Sequence, residues 1–195
     1  MFWCANSYVA FGPGSASAGT FIAQSYISMT SAALTGRVLS VTAGVTLTTA
    51  SIQAPRVASL ASTQPGYTTS FDMMRAARFA IMAGTALTNV GPSIITGNVG
   101  SYPVAMTAGE PIGATLNGIN FGALAQSADA QADLLTIYAA MISHLPGAKA
   151  IASSLDGAVL TPGVYTCTTY CTLGAVLTLD AQGDPNAVFQ FITEG

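Results

Sequence analysis

The sequence has 195 residues, which is long enough for one well-buried domain or two small ones. Charged residues make up only 7% of it, hydrophobic residues reach 51%, and the formal net charge is −3. The five Lys and Arg residues are scattered singly, which excludes a basic surface for nucleic acid. No run of about 18 apolar residues is present, so a membrane-spanning helix is not expected. The polar surface must therefore be built mainly from hydroxyl groups.

Two consecutive eighteen-residue stretches near the start of the chain resemble each other. SYVAFGPGSASAGTFIAQ begins at Ser7, SYISMTSAALTGRVLSVT begins at Ser25, and a weaker third copy begins at Ala43. Each copy divides into three short strand-like pieces separated by small residues. This pattern predicts a mainly β fold, a right-handed triangular β-helix in which each repeat forms one coil and stacks on its neighbours.

Alternation of apolar and polar residues assigns side chains to the inside or outside of the predicted coils. In the first strands the inward pairs are Val9/Phe11, Ile27/Met29 and Val45/Leu47, and the outward residues are Tyr8, Ala10, Tyr26, Ser28, Thr46 and Thr48. In the second strands the predicted inward residues are Ala16, Leu34 and Ile52, and the outward residues are Ser15, Ser17, Ala33, Thr35, Ser51 and Gln53. The third strands are apolar on both sides, so another element must cover them.

The rest of the chain predicts a linker, more coils and one helix. Residues 55–74 break the repeat and are rich in turn-forming residues, which favours a linker between coils 2–54 and a second block, 75–195. Within the second block, residues 124–144 predict a helix with Leu124, Ala128, Leu135, Tyr138 and Ile142 on one face. We expect this helix to lie along the third strands, and the two blocks to form one composite domain.

The sequence offers little for catalysis or metal binding. The acidic residues show no recognisable acid–base pair, and Asp129 and Asp133 are most simply a solvated helix face. Cys167 and Cys171 are close enough in sequence to form a disulfide bond but lack companion histidines, so zinc is not expected. His144, near the helix end, favours a structural role. We therefore predict no enzymatic activity, no cofactor and no metal.

Several segments resemble the microbial ice-binding protein family. The strings LTPGVY and LTLDAQGDPNAVFQF, with the helix before them, are similar to that family, and RFAIMAGTALTNVGPSIITGNVGSYP is similar to its amino-terminal region. The resemblance implies a β-solenoid antifreeze protein with a helix along one side. It also implies an extracellular location, although the start of the chain, MFWCANSYVAF, lacks the features of a signal peptide.

The order of the segments differs from that of the family. Residues 2–54 resemble the family's carboxy-terminal coils, yet here they come first. The chain is either a circular permutant or a fragment of a tandem array, and we favour the tandem fragment, with neighbouring ice-binding domains as further partners. From the resemblance, about one further coil is expected between the end of this chain and its beginning. Either origin allows one continuous solenoid, because the family's amino-terminal coil is expected to stack on its carboxy-terminal coils.

The implied function is adsorption to ice through a flat face of the solenoid, which would inhibit ice growth and recrystallisation. The helix should cover the third strands, and Tyr8 and Tyr26 would roughen the first-strand face. We therefore predict that the second-strand face binds ice, through Ser15, Ser17, Ala33, Thr35, Ser51 and Thr96. The alternative is a structural or adhesive cell-surface solenoid without ice affinity.

Overall fold

The structure is a computed structural model that describes residues 1–55, 73–104 and 113–194. It is mainly β, with parallel strands and one long helix, α1 (Ala125–Ile142). The strands are β1 (Phe2–Ala5), β2 (Val9–Phe11), β3 (Ala16–Ala23), β4 (Ile27–Thr30), β5 (Ala33–Ser40), β6 (Val45–Thr48), β7 (Ser51–Gln53), β8 (Phe79–Ala83), β9 (Leu87–Val90), β10 (Ile94–Thr96), β11 (Asn98–Ser101), β12 (Thr115–Asn117), β13 (Lys149–Ala150), β14 (Val159–Leu160), β15 (Gly163–Cys167), β16 (Thr178–Leu179) and β17 (Phe189–Thr193).

The predicted linker 55–74 lies mostly outside the described residues; its last part enters a 3-10 helix, Met74–Arg78. A second 3-10 helix, Leu145–Gly147, follows α1. Within the described part of the chain, no helix is both long enough and apolar enough to cross a membrane.

The strands stack in parallel, in three groups that follow the repeat. The first-strand sheet consists of β2, β4, β6 and β9 in that order. The second-strand stack consists of the first halves of β3 and β5, followed by β7, β10 and β12. The third-strand stack runs β13, β15, β17, β1, then the second halves of β3 and β5, then β8 and β11. Successive repeats therefore lie on top of one another, as in a β-solenoid.

The first and last strands of the chain are neighbours in the third-strand stack. β1 pairs with β17 on one side, with Phe2 opposite Gln190, and with β3 on the other, with Phe2 opposite Thr20. The ring of Trp3 stacks on Phe191 at 4.0 Å and on Phe21 at 5.7 Å between ring centroids. Strand pairing and aromatic packing thus join the two ends of the chain.

The inward and outward assignment of the first strands is confirmed, whereas that of the second strands is wrong in the first repeat. The chain advances five residues from Phe11 to Ala16, but only four between the equivalent residues Met29 and Ala33. This extra residue in the first turn shifts the alternation by one. Ser17 therefore pairs with the buried Leu34 in the inward row, and Ala16 lies in the outward row.

Glycines allow close contact between coils at the corner from the second to the third strands. A Cβ atom on Gly36 would overlap the carbonyl oxygen of Gly19 in the coil below, and one on Gly118 would overlap that of Gly97. Only glycine leaves space for the backbone of the next coil at these positions. These glycines let the stacking continue through the corner.

Helix α1 covers the third-strand stack, as the sequence predicts, and its ends agree with the prediction within two residues. Its apolar side chains form one buried cluster with the outer side of the third strands, including Ile22, Leu39 and Met82. The predicted face is only partly right: Tyr138 and Ile142 pack against this cluster, but Leu124 and Leu135 are 60% and 51% exposed. The buried residues of the helix are Ser127, Ala130, Gln131, Asp133, Leu134, Ile137 and Met141.

Polar contacts explain this orientation of the helix. Arg75 binds Asp133 through Nε–Oδ2 and Nη2–Oδ1 contacts of 2.8 Å each, and its Nη1 lies 3.0 Å from Asp129 Oδ2. Gln131 Nε2 donates to the carbonyl oxygen of Val41. An alanine-rich helix offers apolar side chains on several sides, so these contacts decide which side is buried. Asp133 is thus a buried ion-pair partner rather than part of a solvated face.

Candidate functional site

The first-strand sheet presents an outward grid of small side chains. One row consists of Ala10, Ser28, Thr46 and Thr88, which are opposite each other in neighbouring strands. The next row, two residues further along, contains Thr30, Thr48 and Val90. The strands repeat about every 4.8 Å and the rows about every 6.6 Å. Five of these seven positions therefore carry hydroxyl groups on a regular lattice.

The inward side of the same sheet holds this grid rigidly. Ile27, Met29, Val45 and Leu47 are fully buried in the core. The four strands contain no charged residue, and their pairing carries no register shift. The grid is consequently both uncharged and continuous across all four strands.

Two tyrosines stand at one margin of the first-strand sheet. Tyr8 and Tyr26 immediately precede β2 and β4, and their rings stack with centroids 5.3 Å apart and planes 7° from parallel. They are 52% and 44% exposed. The outward side chains next to them, Ala10 and Ser28, are much shorter. The tyrosines are therefore the bulkiest side chains along that margin of the grid.

The second-strand stack presents two outward rows with less uniform side chains. The first row is Ala16, Ala33, Ser51, Ile94 and Thr115, and the second is Ala18, Thr35, Gln53, Thr96 and Asn117. Ile94 is 51% exposed. An open depression of about 430 Å³ runs beside the first row, lined by Gly14, Ser15, Ala16, Ser31, Ala32, Ala33, Thr49, Ala50, Ser51, Pro92 and Ile94. This surface is therefore longer than the first-strand sheet but less even.

Four of the six residues predicted as the binding face lie together in these outward rows: Ala33, Thr35, Ser51 and Thr96. Ser15 instead lies in the turn before β3, where its Oγ donates to the carbonyl oxygen of Gly12 at 2.7 Å. Ser17 lies in the inward row. Both departures follow from the extra residue in the first turn.

The outward rows of both surfaces contain no ionisable side chain. Burial raises the pKa of the free Cys4 thiol to about 12, beneath helix α1. Hydrogen bonds from the backbone N–H groups of Ala175 and Gly174 lower the pKa of Asp156 in a turn. Cys167 and Cys171 form a disulfide bond. Among the described residues, no group of three His, Cys, Asp or Glu side chains is placed to hold a metal ion.

The fold and these surfaces define a class: a β-solenoid with a helix along one side and regularly spaced, uncharged outer strands. A family model described as ice-binding-like matches residues 81–195, and the chain belongs to this family. It is also 39% identical over 116 residues to an ice-binding protein from Nostoc sp. (strain HG1). That match covers 60% of this chain and 43% of the relative, so the chain spans less than half of that protein's length. No solved structure matches the chain.

Sequence reasoning placed Ala10, Ser28, Thr46 and Thr48 on the outward side of the first strands but chose the second-strand face as the binding face. The signal was the alternation Ser28-x-Thr30 and Thr46-x-Thr48, which places hydroxyl groups on one side of a strand. The size of Tyr8 and Tyr26 was the reason for not choosing the first-strand side as the binding face. In the structure their bulk is confined to one margin, which the sequence did not reveal.

Proposed function

We propose that this protein adsorbs to ice through the outward grid of its first-strand sheet and thereby inhibits ice growth and recrystallisation. The observation that carries the proposal is the uncharged, uninterrupted grid of Ser28, Thr30, Thr46, Thr48 and Thr88 in a member of the ice-binding-like family. The grid lies on one side of a coil that we take to be right-handed and triangular. Its partner is an ice crystal surface outside the cell.

The physical reason is that ice offers a fixed lattice of water, which favours a rigid and regular partner. The threonine methyl groups order adjacent water, and the hydroxyl groups form hydrogen bonds within that ordered layer. Charged side chains would retain their own hydration shells. Because the strands already fix the side chains, little conformational entropy is lost on adsorption. Rigidity and low charge therefore act together.

The second-strand stack is the competing surface, as predicted from Ala33, Thr35, Ser51 and Thr96. It carries hydroxyl groups and no charges in its outward rows. Side chains of unequal length, such as Ile94 and Gln53, interrupt it. A flat crystal plane would contact only the tallest of these side chains. We therefore favour the first-strand sheet.

Matched substitutions on the two surfaces test the proposal. Thr46→Tyr places a large side chain at the centre of the first-strand grid, and Thr35→Tyr does the same on the second-strand stack. We expect Thr46→Tyr to abolish thermal hysteresis and recrystallisation inhibition, and Thr35→Tyr to leave both near wild-type values. Circular dichroism and thermal melting would check that both variants fold.

Two results would contradict the proposal. If Thr35→Tyr abolished activity and Thr46→Tyr did not, the second-strand stack would be the ice-binding face. If the wild-type protein showed neither thermal hysteresis nor recrystallisation inhibition, the proposal that it adsorbs to ice would be wrong. A structural or adhesive role would then be the remaining hypothesis.

A further inference from the structure

The stacked tyrosines make one margin of the first-strand sheet uneven along the solenoid. The strand register places Tyr8, Tyr26, Gly44 and Ala86 in one row, because each directly precedes a paired position of β2, β4, β6 or β9. Backbone hydrogen bonds continue through this row, from Val9 N to the Tyr26 carbonyl at 3.1 Å and from Val45 N to the Ala86 carbonyl at 2.9 Å. The coils that contain β2 and β4 therefore carry a large side chain at this margin, and the coils that contain β6 and β9 carry a small residue there.

Stacking fixes the two tyrosine rings relative to each other. The rings lie 5.3 Å apart and nearly parallel, so each restricts the rotation of the other. Both remain about half exposed, so a large part of each ring is in contact with solvent beside the grid. They form a fixed ridge beside Ala10 and Ser28. A flat surface that contacts the grid cannot extend across this ridge.

We propose that the Tyr8–Tyr26 ridge sets the width and orientation of the ice plane that the first-strand sheet can contact. This inference rests on the proposed function. Ice touching the row Ala10, Ser28, Thr46 and Thr88 must stop at the ridge in the first two coils. Beside Gly44 and Ala86 the same plane is open. The ridge thus acts as a specificity-determining boundary, through the size of the rings rather than their hydroxyl groups.

The double substitution Tyr8→Thr/Tyr26→Thr tests this boundary in the full-length chain. It removes the ridge and adds two grid positions of the kind already present at Thr46 and Thr88. We expect thermal hysteresis at equal molar concentration to rise roughly twofold, because adsorption strengthens with the area removed from water. Fluorescence-based ice plane affinity should also show labelling of additional planes.

Two control variants separate ring size from other effects. Tyr8→Phe/Tyr26→Phe keeps the ridge but removes its hydroxyl groups, and it should retain wild-type activity and labelling. Tyr170→Thr makes the same chemical change at a 62% exposed tyrosine in the turn after β15, and it should also change neither measurement.

The proposal is overturned if removing the ridge lowers activity or leaves both activity and labelled planes unchanged in a folded double variant. Loss of activity in the Phe variant would also overturn it, because the hydroxyl groups would then bind ice. In each case Thr46→Tyr would still abolish activity, and ice adsorption by the sheet would stand. A wild-type protein with no thermal hysteresis would instead contradict the proposed function itself.

Discussion

The first-strand sheet and the second-strand stack arise from the same repeats, yet their outer surfaces differ. Both bury a mainly apolar inward row, with Leu47 and Ile52 at 0% and 1% exposure. Outside, the first strands carry short side chains across all four coils, whereas the second strands mix Ala16 with Ile94 and Gln53. The coil fixes the positions of the outward side chains. Whether they form a flat surface depends on whether those side chains are of similar length.

The largest expected effect concerns the shared core. Leu47→Ala and Ile52→Ala each remove a fully buried side chain, and each should lower the free energy of unfolding by about 2–5 kcal/mol. Denaturant unfolding followed by circular dichroism would measure this. Similar losses would mean that the two surfaces differ only in their outward residues. A loss confined to one variant would show that the two sides of the coil are not equally packed.

The next effect concerns charge on the outward surfaces. Thr46→Lys should reduce thermal hysteresis on the order of tenfold, because the ammonium group must give up hydration to approach ice. Thr35→Lys should reduce it little. Both positions are exposed, so neither change should alter the melting temperature by more than a few degrees. Equal reductions by the two variants would remove the distinction between the surfaces.

A smaller effect concerns the covered third-strand stack. Hydrogen bonds from the Arg75 side chain hold the pKa of Asp133 below its usual value. Because the folded-state pKa is lowered, this ion pair stabilises the fold above the unfolded-state pKa of about 3.9 and is lost as the pH falls below it. Asp133→Asn should therefore cost about 1–3 kcal/mol at pH 7 and little at pH 2. Unfolding at both pH values would check this, and an equal cost at both would contradict it.

The smallest effect would sharpen the comparison directly. Ile94→Thr shortens an exposed apolar side chain of the second-strand stack and should change stability by less than about 0.5 kcal/mol, since the residue is half exposed. The first-strand sheet is blocked in the Thr46→Tyr variant. If unequal side-chain height is what prevents the second-strand stack from binding ice, adding Ile94→Thr to this variant should restore a measurable fraction of thermal hysteresis. No recovery would mean that another property excludes it.

Much of the fold could be predicted from the sequence. The eighteen-residue repeat fixes which strands stack, and the inward pairs Ile27/Met29 and Val45/Leu47 are buried as expected. The doubly apolar third strands required a cover, and α1 provides it. These predictions succeeded because alternation and repetition are local properties of the chain.

The helix face and the second-strand orientation could not be predicted in the same way. Spacing alone allowed Leu135 to be buried, but the contact between Arg75 and Asp133 joins residues far apart in sequence. One extra residue in the turn before Ala16 reversed the assignment of Ser17, and only its pairing with Leu34 reveals the shift. The division of the chain into domains and the permuted order of its segments remain predictions.

The sequence by itself determined a repeating, weakly charged β-solenoid with one covering helix, because period, alternation and composition act through neighbouring residues. Only the tertiary structure decided which outward side chains form an even surface. That property depends on the register between coils and on the confinement of Tyr8 and Tyr26 to one margin. Register is a relation between distant segments, and no single repeat contains it.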